Sequence, residues 1–135
     1  FAARRRDQLE RCLGRLDDGS HRAHILATYE AKQGLQSPFV AWGWITREML
    51  VTALACIPAA HLKLWCLRIL EDVRENRNGF PDLVQFWPQE GRYRMVEVKG
   101  PGDRLQDNQR RWLDYCAQHA MPVAVCYLQW EQAAA

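Results

Sequence analysis

The chain has 135 residues, 48% of them hydrophobic, and a formal net charge of +2. That is enough for one packed core. It excludes a polybasic or strongly acidic chain whose bulk charge alone would name a partner. No apolar run approaches the ~18 residues needed to span a membrane, and no signal peptide is visible, so no membrane partner is expected.

Residues 3–16 read as a helix with Leu9, Leu13 and Leu16 in one stripe. Arg4-Arg5-Arg6 is a charge run at its start. Ser20 is placed to cap a second helix that ends at Gly34. His21 and His24 share a helix face there; with no cysteine or histidine pair nearby, zinc is not the expected reading. Ser37-Pro38 breaks the chain, and Phe39 to Ile45 reads as extended, with Trp42 and Trp44 expected in the core. Thr46 caps a third helix to about Cys56. Pro58 suits the first turn of a fourth, running to about Asn76 and stopping before Asn78-Gly79. The five cysteines, Cys12, Cys56, Cys66, Cys116 and Cys126, form no C-x-x-C pair. Their odd number and scatter suggest reduced, mostly core thiols in an intracellular protein.

Two β-rich runs follow, Asp82 to Trp87 and Arg92 to Lys99, joined by Pro88-Gln89-Glu90-Gly91, a turn sequence. A hairpin symmetric about that turn pairs Trp87 with Arg92 and brings Asp82 opposite Glu97. Opposed side chains lie roughly 4.5–5.5 Å apart at Cβ. Strand alternation puts Lys99 on the face of Glu97. Two carboxylates that close repel unless a proton or a cation intervenes. Mg²⁺ or Mn²⁺ suits such a site, with water and a phosphate oxygen completing it. The lysine ammonium would position the attacking water or stabilise charge on phosphate. The same spacing also occurs in an ordinary hairpin with solvated charges.

After Lys99, Gly100-Pro101-Gly102 leads to Asp103, a good N-cap with Gln106 three residues on, and a helix to about His119. Leu105, Trp112 and Cys116 mark its apolar face. Gln109 lies on that face and needs hydrogen-bond partners: the carboxylate site, or backbone and solvent at the stripe's edge. Val123 to Leu128 reads as a buried strand. Fifteen of the 18 basic residues are arginines. Arg74, Arg77, Arg104, Arg110 and Arg111 flank the motif and are candidates for gripping a DNA backbone, although many surface arginines are simply solvated.

Gly79-Phe80-Pro81-Asp82, Val96-Glu97-Val98-Lys99-Gly100-Pro101, Asp103-Arg104-Leu105 and Gln109 together resemble the VRR-NUC domain family, a branch of the PD-(D/E)xK nuclease superfamily. Within it the likeness is closest to the Fanconi-associated nucleases, and it covers nearly the whole chain. The resemblance implies an α/β fold with a restriction-endonuclease-like core, a small mixed sheet flanked by helices. N-terminal helices precede it, and a two-helix insertion at 46–76 precedes the catalytic hairpin. Residues 1–135 would form one domain, with a catalytic core at 79–128. By position, Asp82, Glu97 and the Val98 carbonyl correspond to metal ligands, Lys99 to the catalytic lysine, and Gln109 to the motif glutamine. The implied activity is divalent-metal-dependent cleavage of structured DNA, such as 5′ flaps, branched junctions or crosslink-repair intermediates. The family also uses an acidic residue from an earlier helix; Glu10 and Glu30 do not sit in that motif's context. The chain, which starts at Phe, therefore reads as a piece completed by an upstream segment that carries the acid and DNA-binding domains. A non-catalytic DNA-binding or interaction domain is the alternative. The insertion argues against a symmetric homodimer. Expected locations are the bacterial cytoplasm or nucleoid, or a eukaryotic nucleus.

Overall fold

The computed structural model describes residues 2–38 and 40–132. The chain divides into two compact units, one made of Phe1–Leu67 and Phe86–Arg92, the other of Arg68–Gln85 and Tyr93–Ala135.

In the first unit a short 3-10 turn leads into α1 (Arg6–Asp18), followed by α2 (His21–Lys32), a second 3-10 turn (Trp42–Trp44), α3 (Arg47–Cys56) and the start of α4 (Ala59–Glu71). α1 runs two residues past the expected end and stops where Gly19 turns left-handed, at φ 81°. Ser20 precedes α2, but its side chain caps nothing; its N–H donates to Asp18 Oδ1 at 2.8 Å. Thr46 caps α3 as expected, its hydroxyl accepting from the Met49 N–H at 3.1 Å. Tyr29, Leu54, Cys56 and Ile57 are buried here, and the Tyr29 hydroxyl donates to the Ile45 carbonyl at 2.8 Å.

The expectation of an extended 39–45 segment is corrected by the 3-10 turn at Trp42–Trp44; Phe39 itself lies outside the described residues. The same turn corrects the pairing of Trp42 with Trp44 in the core. Trp42 packs tilted against Tyr29, whereas Trp44 is 86% exposed. At about three residues per turn, side chains two apart point in different directions, so one tryptophan faces out when the other faces in.

The fourth helix does not continue to Asn76. It ends at Glu71, and α5 (Val73–Asn76) begins anew after Asp72. The Asp72 carboxylate accepts from the N–H groups of Arg74 and Glu75 at 3.0 and 3.1 Å. An aspartate that caps the turn ahead of it competes with helical hydrogen bonding through its own position.

The sheet has the strand order β1 (Leu83–Trp87), β2 (Arg92–Lys99), β3 (Val123–Tyr127). A four-residue turn joins β1 to β2, so they run antiparallel. β2 and β3 are parallel, with Met95 facing Val123 and Lys99 facing Tyr127; α6 (Asp107–Gln118) lies between them in sequence. The sheet is thus small and mixed, as expected. β3 is less buried than its apolar sequence suggested: Val123 to Val125 are half-buried and Cys126 and Tyr127 exposed, because it is an edge strand. The thiols are likewise not mostly internal. Cys56 and Cys116 are buried, while Cys12, Cys66 and Cys126 are exposed. Burial pushes the Cys116 thiol up to about 11.

Trp112 and Cys116 of α6 pack with Tyr93, Met95 and Met121 as the core of the second unit. The Trp112 indole N–H donates to the Asn76 carbonyl at 3.0 Å. Phe80 meets its ring edge-on, with centroids 4.9 Å apart. Such a ring pair adds about 0.5–1.5 kcal/mol beyond area burial. The Arg68 guanidinium lies 5.0 Å from the Trp112 ring and 4.8 Å from that of Tyr115.

Candidate active site

One face of β2 carries Tyr93, Met95, Glu97 and Lys99, all four buried. Strand alternation builds this row, apolar for its first half and ionised for its second. Glu97 is 1% exposed and Lys99 7%. Burying either ion alone costs several kcal/mol, so both must find partners.

They find each other and Gln109. Lys99 Nζ lies 3.1 Å from Glu97 Oε1. It also donates to Gln109 Oε1 at 2.8 Å, while Gln109 Nε2 donates to Glu97 Oε1 at 2.6 Å. Gln109 Oε1 accepts a second bond, from the Gln106 N–H at 2.9 Å. Gln109 therefore reaches both the carboxylate site and the backbone, which the sequence had left as alternatives.

Asp103 is not the N-cap of α6. Gln106 takes that place, and Gln109 is the reciprocal residue of its capping box. Asp103 is engaged elsewhere. Its N–H donates to the Gly100 carbonyl at 3.1 Å, and its carboxylate accepts from the Gly100 N–H at 3.0 Å. With Pro101 and then Gly102 at φ 83° in the middle, this is a type II turn directly after Lys99.

Asp82 lies just before β1 and is exposed. Its Oδ2 accepts from the Val98 N–H at 2.9 Å. Arg94 donates to the Gln85 side chain at 3.1 Å, which agrees with the register that faces Trp87 with Arg92. Counted back, that register sets Asp82 opposite Glu97 and Pro81 opposite Val98. The backbone groups of Met95 and Lys99 bond on the β3 side, so those of Val98 face the other way, toward Asp82. Proline has no N–H, so Pro81 offers no ladder donor to the Val98 carbonyl.

One buried atom at the site lacks a protein partner: Glu97 Oε2. Such an orphan acceptor calls for an explanation, an ion or a water being the usual ones. Asp82, Glu97 and the Val98 carbonyl are hard oxygen donors of the kind Mg²⁺ and Mn²⁺ take. Among the described residues no group of three or more His, Cys, Asp or Glu side chains could hold a metal. A cation here would therefore rest on two carboxylates, a carbonyl and further oxygens.

The five candidate arginines are all exposed. Arg74 lies on α5 and Arg77 directly follows it, Arg104 precedes α6, and Arg110 and Arg111 lie on α6. Arg111 stands 4.0 Å from Glu75, an exposed pair worth little. From the sequence, Gly79 enters only as a helix stop and as the first residue of the family motif, and Gln106 as the partner of an Asp103 cap, whereas Gln106 is itself the cap.

Comparison with known proteins agrees with this geometry. The VRR-NUC domain model matches residues 16–130. A Fanconi-associated nuclease 1 homolog from Pseudomonas aeruginosa is 61% identical over 130 residues, 96% of this chain and 23% of the relative. The Homo sapiens Fanconi-associated nuclease 1 is 33% identical over 132 residues, 95% of this chain and 13% of the relative. Among solved structures, paFAN1 bound to 2nt 5′ flap DNA with gap superposes with a TM-score of 0.95 at 59% identity, covering 99% of this chain and 24% of that one. The chain thus spans about a quarter or less of the length of these relatives. With the acidic pair, lysine and glutamine of the motif set around one strand end, and the family model covering most of its length, the chain belongs to the VRR-NUC domain family.

Proposed function

We propose that this chain is the nuclease domain of a structure-specific DNA nuclease, hydrolysing phosphodiester bonds in 5′ flaps, branched junctions or crosslink-repair intermediates with Mg²⁺ or Mn²⁺. The observation that carries the reading is Glu97 Oε2, a buried carboxylate oxygen with no protein partner beside an ammonium. Relatives named Fanconi-associated nuclease, and the similar structure bound to 5′ flap DNA, support the substrate class. Asp82, Glu97 and the Val98 carbonyl would hold the ion. When bound, it supplies Lewis-acid polarisation of a phosphate oxygen and lowers the pKa of the attacking water. Lys99 spends two donors on Glu97 and Gln109. An ammonium has three, so the third is left for the water or a phosphate oxygen. Gln109 holds that ammonium in place.

A second reading, a non-catalytic DNA-binding or interaction domain, is favoured by the absence of a third acidic ligand among the described residues. In the catalytic reading that ligand, and further DNA-binding domains, come from an upstream segment of the same protein, and no symmetric homodimer is needed. Titrating Mn²⁺ and following the free ion by electron paramagnetic resonance separates the two. The wild type is expected to bind an ion that Asp82→Ala loses; equal binding by both removes the catalytic reading of this chain.

The arginines give a second test. Each phosphate contact contributes about one unit to the slope of log K against log salt. Arg110→Ala with Arg111→Ala is expected to weaken flap-DNA binding and flatten that slope by up to about two units. An unchanged slope would leave both side chains in solvent.

A further inference from the structure

We propose that Gly79 is a positioning residue of this site: its missing side chain lets the first turn of α6 lie against the segment that delivers Asp82, so that one close contact sets Gln109 and Asp82 together. A Cβ at Gly79 would stand 2.7 Å from the Asn108 carbonyl carbon, 2.8 Å from its oxygen and 2.9 Å from the Gln109 nitrogen. All three are backbone atoms at the start of α6, which cannot swing aside as a side-chain tip does. Real Cβ contacts are essentially never below 3.0 Å. Two of these atoms belong to Asn108 and the third to Gln109, the residue whose side chain joins Lys99 to Glu97. Three residues beyond Gly79, Asp82 takes the Val98 N–H.

The contact belongs to a built seam. The Trp112 N–H donates to the Asn76 carbonyl, and Phe80 packs edge-on against Trp112. Segment 76–82 and α6 are therefore tied on either side of Gly79. Added bulk at Gly79 must lift the first turn of α6, shift the segment leading to Asp82, or both. A displacement on the order of 1 Å at a positioned group can lower turnover by up to about 100-fold.

Gly79 also has φ 85°, which disfavours any L side chain. Gly34 separates that strain from the contact. Its φ is 79°, yet a Cβ built on it meets nothing within 4 Å. Gly34→Ala therefore carries the backbone penalty alone.

The chain has three lysines, Lys32, Lys63 and Lys99, so ¹⁵N-lysine labelling gives a legible side-chain spectrum in which Lys99 reports its bond to Gln109. Gly79→Ala is expected to move the Lys99 ammonium resonance as Gln109→Ala does, while Gly34→Ala leaves it in place. Trp112→Phe removes a hydrogen bond from the same seam without adding atoms and is expected to shift that resonance in the same sense. It decides the matter should Gly79→Ala not fold. The inference rests on the nuclease reading only in its second arm, cleavage of a 5′ flap with Mn²⁺ by the protein completed with its upstream segment. There the Gly79→Ala, Gln109→Ala double variant is expected to lose no more than the worse single variant, since both act through one contact. A Lys99 resonance unmoved by folded Gly79→Ala, or by Trp112→Phe where Gly79→Ala does not fold, overturns the proposal, as do multiplying losses or a Gly34→Ala that reproduces the shift. A shifted resonance in a protein that binds no Mn²⁺ overturns the nuclease reading and leaves the positioning role standing.

Discussion

Glu97→Gln is expected to abolish metal-dependent cleavage in the protein completed by its upstream segment while leaving this domain folded. The amide oxygen can still accept from Gln109 Nε2 and Lys99 Nζ, as Glu97 Oε1 does at 2.6 and 3.1 Å. The local bonding therefore survives with the loss of one charge. The buried Lys99 ammonium loses its counter-charge, which costs about 3–5 kcal/mol, so the thermal midpoint should fall by on the order of 10 °C or more. The other oxygen becomes an amide nitrogen. Glu97 Oε2, buried and without a protein partner, is where a cation would bind, and an N–H₂ there presents donors to it. Charge stabilisation by a bound metal supplies several kcal/mol in the transition state, and each 1.4 kcal/mol is tenfold in rate. Cleavage is expected to fall at least ~10³-fold, with the circular dichroism spectrum unchanged. Cleavage retained near the wild-type rate would remove Glu97 from the chemistry.

The part of this arrangement legible in the sequence is the part fixed by local periodicity. Glu97 and Lys99 are two apart in an apolar strand and so share its buried face with Tyr93 and Met95. The symmetric four-residue turn gave the register that sets Asp82 beside them, and Asp82 does meet Val98. The parts that were not legible depend on which of two partners wins a polar group. Asp103 reads as the cap of α6, but the Gly100–Asp103 turn takes its carboxylate, and the helix starts three residues later with Gln106 as its cap. Asp72 read as one more helical residue until its carboxylate chose the N–H groups ahead of it. Trp44 and β3 were misread for a different reason. Hydrophobicity reports what a side chain prefers, whereas the geometry of a 3-10 turn and a place at the sheet edge decide what it gets. The close contact at Gly79 could not be read from spacing, since it depends on α6 packing back against the chain 29 residues earlier.

Lys99→Met is expected to separate turnover from ion binding. Methionine fills much the same volume, so the apolar stem of the lysine is replaced without a large cavity. What disappears is a positive charge 3.1 Å from Glu97 Oε1 and a donor to Gln109. Gln109 keeps the Gln106 N–H on its oxygen and Glu97 on its nitrogen, so it need not move. A cation approaching Glu97 then loses a repulsive neighbour, and Mn²⁺ should bind as tightly as before or more tightly. The transition state loses the ammonium that orients the water or meets the developing charge on phosphate. Removal of one such preorganised donor costs about 10²–10³ in turnover. The signature is thus opposite movement: an unchanged or lower Mn²⁺ dissociation constant beside a turnover number reduced by about that factor. Equal losses in both quantities would make Lys99 a support for the carboxylates rather than a participant, because only a group needed to hold Glu97 in place would weaken binding and chemistry together.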